Sequence, residues 1–174
     1  MAFISISITK NHPLILGKGG FGRQLADWLS AEGWGEAEFL DDSASGCVGG
    51  LRDYADPKLL KPGRPAFVAL GDNPLRVELL QKLAAAGYNT PVFISDMAAV
   101  SPSAVLEPGC VILPQAYVGA DAHLGVGCII NGGAIVDHDA VLGRGVHVAP
   151  GGIVKAGAEV EALTKVDSGE IIKK

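Results

Sequence analysis

The residues best equipped for chemistry stand together. Asp137, His138 and Asp139 form one ionisable triplet inside the run "INGGAIVDHDAVLGRGVHVAPGGI", otherwise made mainly of small and aliphatic residues. Imidazole titrates near neutrality, so a histidine flanked by carboxylates has what a general base needs. One nitrogen can take a proton, and a neighbour can fix the tautomer and stabilise the charged form. The same triplet also fits a solvated surface histidine, and its place in the fold must separate the two.

That place is set by a repeat. Val100, Leu106, Ile112, Val118, Leu124, Ile130, Val136, Leu142, Val148, Val154, Val160 and Val166 recur every six residues. Four residues after each of the first eleven stands Ala104, Cys110, Ala116, Ala122, Cys128, Ala134, Ala140, Val146, Gly152, Ala158 or Thr164. Helices repeat near 3.6 and strands near 2, so a period of six predicts a solenoid in which each hexad gives one short strand and one corner. The aliphatic residue fills the interior and the small one lets the chain bend past it. Three hexads close a triangular coil, and residues 100–171 supply about four coils.

Within each hexad the second and third residues after the aliphatic one form the corner. Pro102, Pro108, Pro114 and Pro150 take the first place; Gly109, Gly127, Gly133, Gly145, Gly151 and Gly157 take the second, as a tight turn requires. His138 and Asp139 occupy these two places, so His138 points away from the interior and is not a core histidine. Cys110 and Cys128 stand 18 residues apart in one column of adjacent coils, more simply read as small apolar fillers than as a redox pair.

Residues 13–96 follow another rhythm. "PLILG", "EAEFLDD", "PAFVALG" and "TPVFIS" read as four strands. "GFGRQLADWLSAEG" places Phe21, Leu25, Trp28 and Leu29 on one helix face. "DNPLRVELLQKLAAAG" begins with Asp72 or Asn73 as N-cap, puts Val77, Leu80, Leu83 and Ala84 on one face, and stops at Gly87. Strands alternating with helices predict a small parallel sheet. Gly17, Gly19, Gly20 and Gly22 spell GxGxxG between the first strand and helix, a phosphate-binding turn that alone also fits NAD, with Asp41 or Asp42 reaching a ribose.

The bulk numbers narrow the ligand. A net charge of −5 without a run of Lys or Arg excludes the basic footprint of a nucleic-acid binder or of a protein held on anionic lipid. No apolar stretch approaches a membrane span, and "MAFISISITK" has neither a basic start nor a small-residue cleavage site, so a soluble, cytoplasmic protein is expected. Cys47, Cys110 and Cys128 show no CxxC pairing.

The hexapeptide pattern resembles the left-handed parallel β-helix of the hexapeptide-repeat acyltransferases. The gamma-class carbonic anhydrases share that β-helix and place two zinc ligands five residues apart. His123, His138 and His147 are spaced by 15 and 9 residues, so no metal is expected.

The whole chain resembles one group in particular through "ILGKGGFG", "FLDD", "ALGDN", "SPSAV", "INGGAIVDHDAVLG" and "VHVAPG", in that order and spacing. These motifs are similar to those of the bacterial sugar O- and N-acyltransferases (NeuD/PglD-like), which include sialic acid O-acetyltransferases and N-acetyltransferases acting on UDP-4-amino sugars. The resemblance implies a Rossmann-like α/β domain over residues 1–97 that holds a nucleotide sugar, and a β-helix domain over residues 98–174 that holds acetyl-CoA. It implies His138 as general base, Asp139 as its orienting partner and Asn131 near the acceptor sugar. His147 then lies near the thioester, and a backbone N–H one coil beyond the histidine, at Ala156 or Gly157, receives the oxyanion. Gly17, Gly19, Gly20 and Gly22 would serve the UDP-sugar, and a homotrimer would carry active sites between prisms.

The chain departs from the family where His is usual and Phe21 stands, and where Ser95-Asp96 replaces a His-Pro pair. Relatives continue for further coils, whereas here the repeat is expected to lose definition in "GAEVEALTKVDSGEIIKK", with Leu163 in a turn place. The expectation is an acetyl-CoA-dependent sugar acetyltransferase. The alternative is a shortened relative that binds a nucleotide sugar or a protein partner without transferring anything.

Overall fold

The structure, a computed structural model, describes residues 11–59 and 61–174. The reading of "MAFISISITK" lies outside the described residues. The N-terminal unit is a three-stranded parallel sheet of β1 (Leu14–Leu16), β2 (Glu38–Leu40) and β3 (Ala66–Val68) in the order β2-β1-β3. Between β1 and β2 runs α1 (Gly20–Ala31), which buries Leu25 and Leu29. After β3 runs α2 (Asn73–Ala85), whose N-cap is Asp72, its carboxylate accepting the Leu75 N–H at 2.8 Å.

The segment "TPVFIS" does not add a fourth strand to this sheet. Phe93–Ile94 pairs in parallel with Val111–Ile112 and opens the solenoid. Its alternation of apolar residues looks the same in either setting; what decides is that Ile94 stands six residues before Val100 and so falls into the hexad column.

From there three parallel faces wind up the prism. Face one stacks Phe93–Ile94, Val111–Ile112, Ile129–Ile130, His147–Val148 and Lys165–Val166. Face two stacks Ala99–Val100, Tyr117–Val118, Ile135–Val136, Ile153–Val154 and Ile171–Ile172. Face three stacks Val105–Leu106, His123–Leu124, Val141–Leu142 and Glu159–Val160. The aliphatic column from Ile112 to Val166 is buried inside, with Cys110 and Cys128 among the small residues that fill the corners.

The repeat does not fade at the C-terminal end. Every sixth residue from Gly109 to Gly169 takes a positive φ, and Leu163 does so at 65° like its glycine neighbours. The Leu163 N–H donates to the Arg144 carbonyl at 2.8 Å, as other corners bond to the coil below, and its carbonyl accepts the buried Asn73 amide at 2.8 Å.

α2 joins the two units. It runs along the corner between faces three and one, and glycine is required there. A Cβ on Gly127 would lie 2.6 Å from Leu80 Cδ1, and one on Gly145 2.6 Å from Val77 Cγ2. Ala84, expected on the packed face, is exposed, whereas Arg76 is 1% exposed. Its Nε donates to the Gly127 carbonyl (2.9 Å), one terminal nitrogen to Gly145 (2.7 Å) and the other to Leu70 (2.8 Å). Burial lowers the Arg76 pKa to about 10, with Asp72 and the two core thiols acting against it, so the guanidinium stays charged at neutral pH.

On the other side, Phe21, Leu25, Trp28 and Leu29 of α1 and Phe67 of β3 belong to one apolar cluster with Phe93, Val111 and Leu113 of face one. Replacing Arg76 with Met leaves two buried carbonyls and the half-buried one of Leu70 without their charged donor. Unfolding in urea is expected to show a loss of at least about 3 kcal/mol.

Candidate active site

His138 sits at the corner between faces two and three, its side chain 59% exposed and that of Asp139 64%. Asp139 adopts φ 58°, the left-handed corner conformation that Asp tolerates better than most non-glycine residues. This backbone turn brings Asp139 Oδ2 to 2.7 Å from His138 Nδ1. Asp137 contributes differently: its Oδ1 accepts the His138 backbone N–H at 2.8 Å and pins the start of the corner. One coil below, Gly119 leaves the room this arrangement needs, since a Cβ there would stand 2.5 Å from the His138 nitrogen.

The hydrogen bond to Asp139 raises the His138 pKa above 6.5, and the charge on Asp137 adds to it. With Nδ1–H held by the carboxylate, the imidazole presents Nε2 outward.

One coil above, Ala156 and Gly157 divide the work. The Gly157 N–H donates to the His138 carbonyl at 3.0 Å. The Ala156 N–H makes no hydrogen bond among the described residues, which leaves it as the backbone donor available at this corner.

Asn131 and His147 are not brought to His138 within the chain. His147 lies on face one and Asn131 just after it, with Asn131 Nδ2 3.4 Å from His147 Nε2. Asn131 Oδ1 accepts the Gly132 N–H at 2.8 Å. Burial, helped by the charges of Arg76 and Lys165, lowers the His147 pKa to about 4. A neutral His147 accepting from Asn131 at Nε2 carries its proton on Nδ1, and Nδ1 is buried without a partner among the described residues. His123 stands elsewhere again, on face three, 3.1 Å from Glu107. Among the described residues no group of three or more His, Cys, Asp or Glu could hold a metal ion, and no helix is long and apolar enough to cross a membrane.

In the N-terminal unit the four turn glycines do two jobs. Gly17 and Gly22 are packing positions: a Cβ on Gly22 would lie 1.9 Å from the Gly17 carbonyl oxygen. Gly19 and Gly20 open onto space, nothing lying within 4 Å of a Cβ at either, at the N-terminus of α1. Asp41 and Asp42 both serve the chain itself. The Asp41 carboxylate accepts backbone N–H groups from Lys18 (2.7 Å), Ser43 (2.9 Å) and Ala44 (2.8 Å), which hold its pKa far below the usual carboxylate range. Asp42 accepts the Leu51 N–H at 2.8 Å. The sequence did not single out Lys18, whose ammonium donates to the Ser45 and Gly46 carbonyls and closes the same loop over Phe39. Ser95 is buried and the Asp96 N–H donates to Glu32 at 2.9 Å.

Residues 14–83 match the PglD N-terminal domain family. The acetyltransferase domain of PglB from Neisseria gonorrhoeae is 33% identical, with a TM-score of 0.77 over 94% of this chain and 88% of that one. The same domain in complex with acetyl coenzyme A gives 33% and 0.76, over 94% and 87%. A perosamine N-acetyltransferase variant from Caulobacter crescentus, in complex with CoA and GDP-perosamine, is 28% identical with a TM-score of 0.80, over 88% of this chain and 76% of that one.

The two histidines should titrate far apart. Imidazole resonances followed by NMR are expected to give His138 a midpoint above 6.5 and His147 one near 4. Replacing Asp139 with Asn should bring the first midpoint down.

Proposed function

Because the chain belongs to the PglD-like family of sugar acetyltransferases, we propose that it transfers an acetyl group from acetyl-CoA to the amine of a nucleotide-linked sugar, with His138 as general base. The observation that carries this reading is the 2.7 Å contact between His138 Nδ1 and Asp139 Oδ2 at an exposed corner of the β-helix. Relatives bound to acetyl-CoA, or to CoA and GDP-perosamine, support the two substrates.

The chemistry follows from the corner. The sugar amine attacks the acetyl carbonyl carbon while His138 Nε2 takes its proton, and Asp139 stabilises the resulting imidazolium. The carbonyl oxygen becomes an oxyanion facing the unpaired Ala156 N–H. The carbon–sulfur bond then breaks, and the departing CoA thiolate takes the proton from His138. No enzyme-bound acyl group is required: Cys110 and Cys128 are sealed in the prism and Cys47 lies in the loop after β2.

Gly19, Gly20 and the N-terminus of α1 offer the open, donor-rich turn for the sugar nucleotide's phosphates. His138 is exposed, and Asn131 and His147 sit on a different part of the prism, so in this reading the reacting groups meet between copies. Face two favours such packing. Its outward column is Ala99, Tyr117, Ile135, Ile153 and Ile171, with Tyr117 43% and Ile171 47% exposed. A homotrimer in the cytoplasm, where acetyl-CoA is available, completes the proposal.

His138→Ala is expected to lower acetyl transfer to an amino-sugar nucleotide about 10²- to 10⁴-fold with little change in thermal midpoint. Free-thiol release measures the rate. Only neutral His138 accepts a proton, so kcat/KM should rise with pH through a midpoint above 6.5, and Asp139→Asn should move that midpoint downward; a profile flat in this range would remove His138 as the base. Sedimentation equilibrium should give three times the 17.9 kDa chain mass, and Tyr117→Lys should reduce it.

A further inference from the structure

The chain has four asparagines, and only one of them precedes glycine. Asn11 is followed by His12, Asn73 by Pro74 and Asn89 by Thr90, whereas Asn131 is followed by Gly132 and Gly133. A carboxamide can react with the amide nitrogen of the next residue when that nitrogen has a proton to lose and no side chain crowds it. Proline has no such proton. Histidine and threonine carry side chains in the way, so glycine alone meets both conditions.

We propose that Asn131 is a self-modification site, at which the Gly132 backbone nitrogen converts the carboxamide into a carboxylate through a cyclic imide. The conversion does not depend on the acetyl-transfer reading. The corner already holds the two groups together: the Asn131 side chain folds back over its own chain, and its Oδ1 accepts the Gly132 N–H at 2.8 Å. That N–H makes no backbone hydrogen bond among the described residues, so the coil ladder does not hold the nitrogen elsewhere. Both residues are half-buried and within reach of water. A Cβ at Gly132 would meet nothing nearer than the Pro114 carbonyl oxygen at 3.5 Å, so the corner is not crowded. Asn131 Nδ2, the leaving group, faces His147 Nε2 at 3.4 Å.

The step balances with water alone. Hydroxide removes the Gly132 amide proton, the nitrogen attacks Asn131 Cγ, and Nδ2 leaves as ammonia with a proton taken from water. Water then opens the imide at either carbonyl. Opening at Cγ gives an aspartyl residue at position 131; opening at the backbone carbonyl gives an isoaspartyl residue, whose main chain is longer by one carbon. Water enters and ammonia departs, with nothing oxidised or reduced.

Both products alter the candidate site. A carboxylate replaces a neutral amide beside His147, whose pKa of about 4 reflects burial and the charges of Arg76 and Lys165. An anion there acts in the opposite direction and favours the imidazolium. The isoaspartyl form also lengthens a corner that is bonded on both sides. The Gly133 N–H donates to the Pro114 carbonyl below at 3.3 Å, and the Gly132 carbonyl accepts the Gly151 N–H from above at 3.3 Å.

The test incubates the folded protein at neutral and at mildly alkaline pH and follows the tryptic peptide Leu83–Arg144, which carries both Asn89 and Asn131. Fragmentation should place a mass gain of about one dalton at position 131 and not at position 89. The gain should come faster at the higher pH, because the attacking nitrogen must lose its proton. Gly132 does not adopt a positive φ, so Gly132→Ala fits the corner. Its methyl group should slow the conversion roughly tenfold or more. Asn131→Asp supplies the aspartyl product directly, and NMR titration should then move the His147 midpoint up by about one unit or more. Conversion at Asn131 no faster than at Asn89, conversion unaffected by Gly132→Ala, or conversion seen only after unfolding in urea overturns the site. An unmoved His147 midpoint overturns its effect on the imidazole.

Discussion

A single buried guanidinium ties the molecule together. Arg76 leaves α2, crosses into the corner between faces three and one, and bonds two coils of the prism and the loop after β3 at once. Nothing less would serve the same geometry. Carbonyls at corners point outward in search of donors, and a neutral side chain could satisfy one of them but not two a coil apart together with a third in the loop after β3. Charge adds a second effect: Arg76 helps keep His147 neutral, so the clamp that seats the N-terminal unit also acts on a candidate site residue.

The two charged neighbours of His138 act by different routes. Asp139 reaches the imidazole only because the corner forces a positive φ on a residue that can accept it. Asp137, lying in the preceding outward place, spends one oxygen on the backbone and contributes to the ring through its charge. Removing either changes the basicity of His138, but only Asp139 fixes which nitrogen faces out. His147 shows the opposite electrostatics, as burial beside Arg76 and Lys165 suppresses its protonation.

Most of the solenoid could be read from the sequence because one physical rule, large inside and small at the bend, repeats every six residues. It located the corner of His138 and Asp139 without reference to any contact. The same rule extended further than expected: Leu163 has no small side chain, yet its backbone obeys the corner conformation through the same bond to the coil below, and Asn73 bonds its carbonyl from outside the repeat. What could not be read was the seam between the units. Arg76 and Asn73 are polar residues on a surface-like helix pattern, and their burial depends on the distant carbonyls of Gly127, Gly145 and Leu163. The strand pattern of "TPVFIS" pointed to the N-terminal sheet, and the place of Ile94 in the hexad column is what returns it to the solenoid. The division between Ala156 and Gly157 as backbone donors follows from which N–H the corner already uses, a property of the coil stacking that residue types alone do not carry.

α2 and the corner beneath it behave as two combs of unequal pitch. Teeth on the helix recur about every 5.4 Å, one per turn, while the notches between coils recur about every 4.8 Å. Leu80 rests over Gly109 and Gly127, Val77 over Gly127 and Gly145, and Asn73 reaches Leu163, so the combs stay meshed over the four corners met by this 13-residue helix. The lag grows by about 0.6 Å at each notch, and over a few more it would amount to a methyl group and then to a whole tooth. Two such combs mesh well over only a short overlap. The mismatch therefore acts as a vernier: it limits how far a docking helix can usefully extend along a β-helix edge, and it makes the seat of the N-terminal unit one definite position along the prism.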